Sequence, residues 1–315
     1  YYFGDSDDGA MHKGWLQYMD GSELEGTEGW DSDGAKDYDD LDEMWFYFNT
    51  STGKKVTGNT ADGAKAKTIN GNKYLFDEHG VMVSEWSTTA ATATNTSKYY
   101  NGQTEGWMEK SGWIWAVPST VINEADNDDD QYRWFYAPTS GKVVKGDLKS
   151  INGKKYIFDE TGIMRSGLVV IDEDENIRAL LDEEETEGAD LMEGIYTVDD
   201  VTGFVGTNTT GEIDNLTAFL YYFGDEETDG SMKTGKNIKI ELEDDEYTFG
   251  FKSNGKAYHG EEDNKLYFNG VLAKASTDYR YQAVGTDVRY DTPDTITDMG
   301  DLKSQISDLK YSNYV

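Results

Sequence analysis

The stretch INGNKYLFDEHGVM beginning at Ile69 returns as INGKKYIFDETGIM beginning at Ile151. A chain that repeats itself over such a length folds into units that resemble one another, so this feature constrains the fold before any single residue does. Two other kinds of unit recur in the same order. One opens with paired aromatics and a glycine: Tyr1-Tyr2-Phe3-Gly4, Tyr99-Tyr100-Asn101-Gly102 and Tyr221-Tyr222-Phe223-Gly224. In the outer copies it continues as GAMHKG (Gly9 to Gly14) and GSMKTG (Gly230 to Gly235). The other reads WFYFNTSTGKKVTG from Trp45 and WFYAPTSGKVVKG from Trp134, with YTFGFKSNGKAYHG from Tyr247 as a weaker third. NKLYFNGVLAKA from Asn264 is a degenerate relative of the opening pair, and TEGW precedes a WFY strand twice, at Thr27 and at Thr104. Three superunits follow, near 1–86, 98–168 and 221–275.

Each unit has the pattern of a β-hairpin. In KYIFDETGIM, Tyr156 and Phe158 alternate with Lys155 and Ile157, which puts both rings on one face of a strand. Asp159 to Gly162 then supplies a polar turn closed by glycine, and Ile163 and Met164 begin the return strand. A lone two-stranded hairpin is marginal in water, so each must stack its rings on the next. The expected fold is an all-β solenoid of stacked β-hairpin repeats with acidic insertions. Residues 1–168 form a hairpin-repeat region with two superunits, 1–86 and 98–168. Residues 169–215 carry DEDEN (172–176) and DEEETEG (182–188) and read as an acidic connector. Residues 216–276 form the third superunit and 277–315 a C-terminal tail. In that tail Leu302, Ile306 and Leu309 share one helical stripe, with Asp298 or Asp301 as cap, which predicts a short helix over 298–310.

Composition explains why the layers should be thin. Hydrophobic residues reach only 37%, yet aromatics reach 13% and tyrosines number 22, so the apolar material lies in large amphipathic rings. The net charge of −34 excludes attraction to nucleic acid or to anionic membranes. No apolar run approaches the roughly 18 residues that a spanning helix needs. The chain opens at Tyr1 without a charged segment followed by an apolar one, and reads as a mature or trimmed fragment. With no cysteine, disulfides, thiolate metal sites and cysteine nucleophiles are excluded together.

Enzyme chemistry finds little footing. His12, His79 and His259 are the three histidines. His12 and His79 stand where sister repeats carry lysine and threonine, which ill suits a general base. No Gly-x-Ser-x-Gly elbow, phosphate loop or His-Glu-x-x-His occurs. DNDDD (126–130) and DSDGAKDYDDLDE (31–43) raise calcium as a cofactor. Neither fits the calcium loop with glycine sixth and glutamate twelfth, so no ligand set is assigned.

Aromatic pairs, turn glycines and return strands spaced by Gly-Trp resemble the cell-wall-binding repeats of Gram-positive surface proteins, a family of choline-binding and glucan-binding modules. The resemblance spans most of 1–86, 98–168 and 221–275. It implies a non-catalytic, exported module at the wall or cell surface whose aromatic pockets between repeats hold a quaternary ammonium or a glycan. The implied partner is a cell-wall polymer, either a choline-bearing teichoic acid or a polysaccharide. The nearest match to the family's box is GWMEKSGWIW, with Trp107 in the Gly-Trp position and Trp113 and Trp115 in the hairpin position. Trp134 joins these as a first candidate, followed by Trp15, Trp30, Trp45 and Trp86. All eight tryptophans lie before residue 135, and the third superunit carries only tyrosine and phenylalanine. Two other readings stand beside this one: a structural spacer or host-contact protein whose rings are consumed by packing, and the targeting half of a wall-lytic enzyme.

Overall fold

Asn70-Gly71 and Asn152-Gly153 turn the chain back on itself, because both residues of each pair sit at positive φ, 50° and 88° in the first and 50° and 84° in the second. Two such residues in succession make the type I′ turn, whose twist matches an antiparallel strand pair. Each pair closes a hairpin that lies just before the DExG turn, so the INGxKYxFDExG repeat carries two turns that join three strand segments.

The structure, a computed structural model, describes residues 1–3, 9–18, 43–58, 64–87, 97–183, 186, 188, 191, 218–225, 229–243 and 245–273. The expected C-terminal helix and Trp30 lie outside the described residues. The chain divides into two units, Tyr1–Lys145 with Glu160–Ile163, and Gly146–Asp159 with Met164–Val315.

In the first unit, β1 (Gly14–Tyr18) pairs with β2 (Met44–Phe48), and β3 (Lys65–Ile69) with β4 (Asn72–Phe76). Next, β5 (Glu85–Ser87) pairs with β6 (Lys98–Tyr100), and β7 (Gly112–Ala116) with β8 (Arg133–Ala137). All four pairs are antiparallel, and a short helix α1 (Glu124–Asp128) lies between β7 and β8. Both faces of β2 are covered. Met44, Phe46 and Phe48 pack with Val81 and Leu16, while Trp45 and Tyr47 join Trp15 against the layer of Tyr74 and Phe76. A hairpin too small to bury its own rings thus gains a partner on each side. This is the all-β, stacked-hairpin architecture that the repeats predict.

A second contact links one hairpin to the next. Met11 lies over Gly53, Met82 over Gly106 and Met108 over Gly141, so closely that a Cβ on any of these glycines would overlap the methionine sulfur. Each methionine closes a Gly-x-Met triplet: Gly9-Ala10-Met11, Gly80-Val81-Met82 and Gly106-Trp107-Met108. The thioether is unbranched and polarizable, and it fills the flat space above a residue without a side chain.

The second unit repeats this device, with Met164 over Gly230 and Met232 over Gly255. Its first sheet holds β9 (Asp147–Ile151), β10 (Lys154–Phe158) and β11 (Met164–Arg165) in the order β11-β10-β9. Ile157 is as fully buried as Phe158, so here too the face opposite the rings is covered. The next sheet runs β13-β12-β14, from β12 (Leu168–Asp172), β13 (Ile177–Leu181) and β14 (Ala218–Tyr222). The last runs β15-β16-β19-β18-β17, from β15 (Gly235–Leu242), β16 (Asp245–Phe251), β17 (Gly260–Glu262), β18 (Lys265–Phe268) and β19 (Val271–Leu272).

The acidic segment from 169 therefore begins inside a sheet: β12 is buried along its whole length, and DEDEN turns the chain into β13. Burial alone would raise the Asp172 carboxyl, but hydrogen bonds from Asn176 and Arg178, with the Arg178 charge, hold it below its ordinary value. Glu183, just past β13, behaves in the opposite way. Burial, then the charges of Asp225 and Asp182, push its carboxyl up from 4.5 to about 7. A carboxyl raised in the folded state contributes stability that is full below 4.5 and lost as pH rises through about 7. Glu183→Gln is accordingly expected to flatten the stability of the second unit between those values and to raise it at pH 8 by about 1 kcal/mol, after allowing for solvent screening. Chemical denaturation followed by tyrosine signals at several pH values measures this, and an unchanged slope would contradict it.

Candidate functional site

The register of the strand pairs sorts the candidate tryptophans. On β1 and β2, Trp15 stands opposite Tyr47 and Gln17 opposite Trp45. On β7 and β8, Trp113 stands opposite Tyr136 and Trp115 opposite Trp134. The two pairs share the same register, and Trp115 takes the register position that Gln17 holds in the first copy. Because side chains alternate along a strand, Trp113, Trp115, Trp134 and Tyr136 share one face of their hairpin, while Ile114, Phe135 and Ala137 fill the core on the other.

The seven described candidates do not gather in one box. Trp15 meets Tyr74 at 4.8 Å and Tyr47 at 5.1 Å, both edge to face, and Trp45 lies 6.3 Å away. Trp107, bridged to Tyr74, packs against the same cluster of Ile69, Tyr74, Phe76 and Met82. A carboxylate borders this group, since Glu43 Oε2 accepts from Trp45 Nε1 at 3.2 Å and from Thr104 Oγ1 at 3.1 Å. Trp107 thus belongs with Trp15 and Trp45, although in sequence it stands beside Trp113.

Trp86 has a different surrounding. Its ring packs on Phe135 at 4.6 Å and on Tyr99 at 5.2 Å, and its Nε1 donates to Val117 O at 2.7 Å. Burial, followed by Glu85, Tyr132 and Glu109, raises the Tyr99 phenol above its ordinary value. Trp86 therefore anchors the start of segment 117–132 rather than facing water.

The third group is open. Trp115 is 47% exposed and Tyr132, one residue before β8, is 52% exposed. Their rings stack with centroids 5.8 Å apart and planes 27° from parallel, and Trp115 meets Trp134 at 4.8 Å and 40°. Trp113 continues the ladder edge to face, 6.2 Å from Trp134 and 5.2 Å from Tyr136. Exposed rings of this size forgo a large burial energy and stay available for contact from outside the hairpin.

Segment 117–132 holds Tyr132 in place. Asn123 caps α1 by accepting from the Asp126 N–H at 3.2 Å, and Asn127 Nδ2 donates to Pro118 O at 2.8 Å. Ile122 is buried, and the Asp126 carboxylate, also buried, receives Arg133 through Nε at 3.0 Å and a second nitrogen at 2.7 Å. DNDDD is thus partly structural. Tyr132 was not among the sequence candidates, but its parity with Trp134 and Tyr136 is visible in QYRWFY. Among the described residues no group of three or more histidines or acids is gathered as a metal ion requires. His12 is occupied structurally, with its Nε2 2.8 Å from Trp15 O and its ring edge to face with Phe48 at 5.6 Å.

No family model matches the chain. Among curated proteins it is 31% identical over 137 residues to glucosyltransferase-S of Streptococcus downei, a stretch covering 44% of this chain and 8% of that protein. It is 35% identical over 65 residues to toxin B of Clostridioides difficile, covering 21% of this chain and 2% of the toxin. The chain thus spans less than a tenth of the length of these relatives. Among solved structures, choline binding protein F of Streptococcus pneumoniae is 18% identical with a TM-score of 0.33, covering 87% of this chain and 89% of that one. The modular autolysin LytC of the same species is 16% identical with a TM-score of 0.35, covering 78% and 39%. With its hairpin repeats and the stretch shared with glucosyltransferase-S, the chain resembles the choline-binding-like and glucan-binding-like cell-wall-binding repeat proteins of Gram-positive bacteria.

Proposed function

We propose that this chain is a non-catalytic binding module of an exported surface protein, attached to a cell-wall polymer or glycan through aromatic groups on its hairpins. The observation that carries this reading is the open stack of Trp115 and Tyr132 beside Trp134. The stretch shared with a glucosyltransferase lends it support, since that enzyme's name denotes glucosyl chemistry. Catalysis by the whole relative does not carry over, because the shared stretch is a small part of that protein. The half-buried group of Trp15, Trp45 and Trp107 with Glu43 suits a choline-like cation, where ring faces and a carboxylate act together. One ring contributes about 0.5–2 kcal/mol to such a site, so single sites bind weakly and several act together on a polymer.

The test is a titration of the full chain with choline and with wall-derived or glucan oligosaccharides, followed by tryptophan emission. All eight tryptophans lie before residue 135, so the signal reports where the candidates stand. A saturable change with at least one of these ligands is expected, together with co-sedimentation with purified walls. A flat response to all of them and no sedimentation would sink the reading. Packing and the bond to Val117 occupy Trp86, so Trp86→Phe is expected to lower stability by about 1–2 kcal/mol, read from the denaturation midpoint.

A further inference from the structure

We infer that Met232 is an oxidation site: conversion of its thioether to the sulfoxide by a peroxide releases the three sheets of the second unit from one another. The inference concerns this unit alone and is independent of any ligand on the aromatic hairpins.

Three contacts converge on this residue. The Met232 N–H donates to Lys155 O on β10 at 2.8 Å, and the next N–H, that of Lys233, donates to Tyr222 O at the end of β14 at 2.7 Å. Two successive donors thus tie the first sheet of the unit to the second. The Met232 side chain packs against Ile157, Val169, Ile171, Tyr221 and Phe223, which lie on or next to β10, β12 and β14. Its sulfur then reaches the third sheet, where it lies over Gly255 in the turn that follows β16.

That turn leaves no room for an added oxygen. A Cβ on Gly255 would stand 2.3 Å from the Met232 sulfur and 2.8 Å from its methyl group. Gly255 has φ of 91° and closes its turn by donating to Lys252 O at 2.9 Å, which fixes the backbone under the sulfur. Oxidation turns a polarizable apolar sulfur into a polar, chiral sulfoxide. Its oxygen either meets the glycine or turns into a mainly apolar cluster, where desolvating it is unfavourable. Both outcomes push the side chain off Gly255.

Exposure selects Met232 over the other thioether that clamps a glycine in this unit. Met232 is half-buried, whereas Met164 is only 5% exposed. Accessible thioethers react first. Met164 lies over Gly230, two residues before Met232. Release of Met232 therefore loosens the segment that covers Met164, and the two oxidations follow in order. In each, a sulfur lone pair attacks one peroxide oxygen and the O–O bond breaks. The sulfur is oxidised by two electrons, the peroxide is reduced by two, and the departing hydroxide takes the proton of the transferred oxygen to leave as water.

The experiment treats the full chain with graded hydrogen peroxide. Peptide mass spectrometry measures each sulfoxide, and amide hydrogen exchange reads residues 154–158 and 250–257. Met232 is expected to oxidise about tenfold or more faster than Met164. Exchange in both segments should rise about fivefold or more in step with the Met232 sulfoxide. A pair of methionine sulfoxide reductases, one for each epimer, should restore both readings. Met232→Leu keeps an apolar side chain without sulfur, so peroxide is expected to leave its exchange unchanged. Should that variant exchange faster before any peroxide is added, the time course in the parent chain decides, because only loosening that tracks the Met232 sulfoxide supports the inference. Oxidation of Met232 no faster than that of Met164 would overturn it. So would a Met232 sulfoxide that forms without faster exchange, or equal loosening by peroxide in the leucine variant.

Discussion

Truncation of Phe135 to alanine is expected to destabilise the first unit by about 3–5 kcal/mol. Phe135 is fully buried, stands opposite Ile114 in the β7–β8 register, and packs with Ala116, Ile122, Val143 and Ile163. Its ring also supports Trp86 at 4.6 Å, and Trp86 in turn holds Val117 at the start of the segment that carries Tyr132. A cavity here removes packing from both the core and that segment. Guanidinium denaturation followed by tryptophan emission reads this unit, since no tryptophan lies after residue 134. The midpoint of the transition that tryptophan emission reports should fall sharply. A loss below about 1 kcal/mol would mean that the ring does not carry the layer.

Gly106→Ala is expected to cost about 2–4 kcal/mol, from two separable sources. The backbone at Gly106 has φ of 59°, a left-handed conformation that costs an alanine roughly 1–2 kcal/mol. The added methyl would also overlap Met82, whose thioether lies over the glycine. A double-mutant cycle with Met82→Ala divides the two. In that background the same substitution should cost only the backbone share, leaving a coupling of about 1–2 kcal/mol. Denaturation midpoints of the four chains supply the cycle. Simple additivity would show that methionine and glycine do not act as a pair.

Much of this fold is legible in the residues. Paired aromatics, WFY strands and the DExG turns mark hairpins because strand periodicity and turn chemistry are local. The Asn-Gly pairs at 70–71 and 152–153 carry an equally local signal, and they show that INGxKYxFDExG joins the strand before it to its own KYxF strand ahead of its second turn. Gly-x-Met recurs five times, at Gly9, Gly80, Gly106, Gly162 and Gly230. Its meaning is not local. Each methionine packs on a glycine from another turn, and spacing does not say which.

The candidate site shows the same division. Trp107, Trp113 and Trp115 crowd a short stretch and suggest a single box, but strand parity and pairing separate them. Trp107 joins Trp15 and Trp45 around Tyr74, whereas Trp113 and Trp115 line up with Trp134 on another hairpin. The acidic runs were equally ambiguous: Asp126 and Asp172 are buried partners of Arg133 and Arg178, while Asp128 to Asp130 remain in water.

By itself, the sequence determined that this protein is a series of aromatic hairpins without cysteine chemistry, too acidic to seek nucleic acid. Those properties depend on residue type, on period two along a strand and on turn residues, all of which act over a few neighbours. Only the tertiary structure decided which rings are consumed by packing and which face solvent. A hairpin has two faces of similar apolar character here, and the covering neighbour comes from distant parts of the chain. Trp86 and Trp115 are therefore alike in type and opposite in role: one is closed in by Phe135 and Tyr99, and the other is left open beside Tyr132.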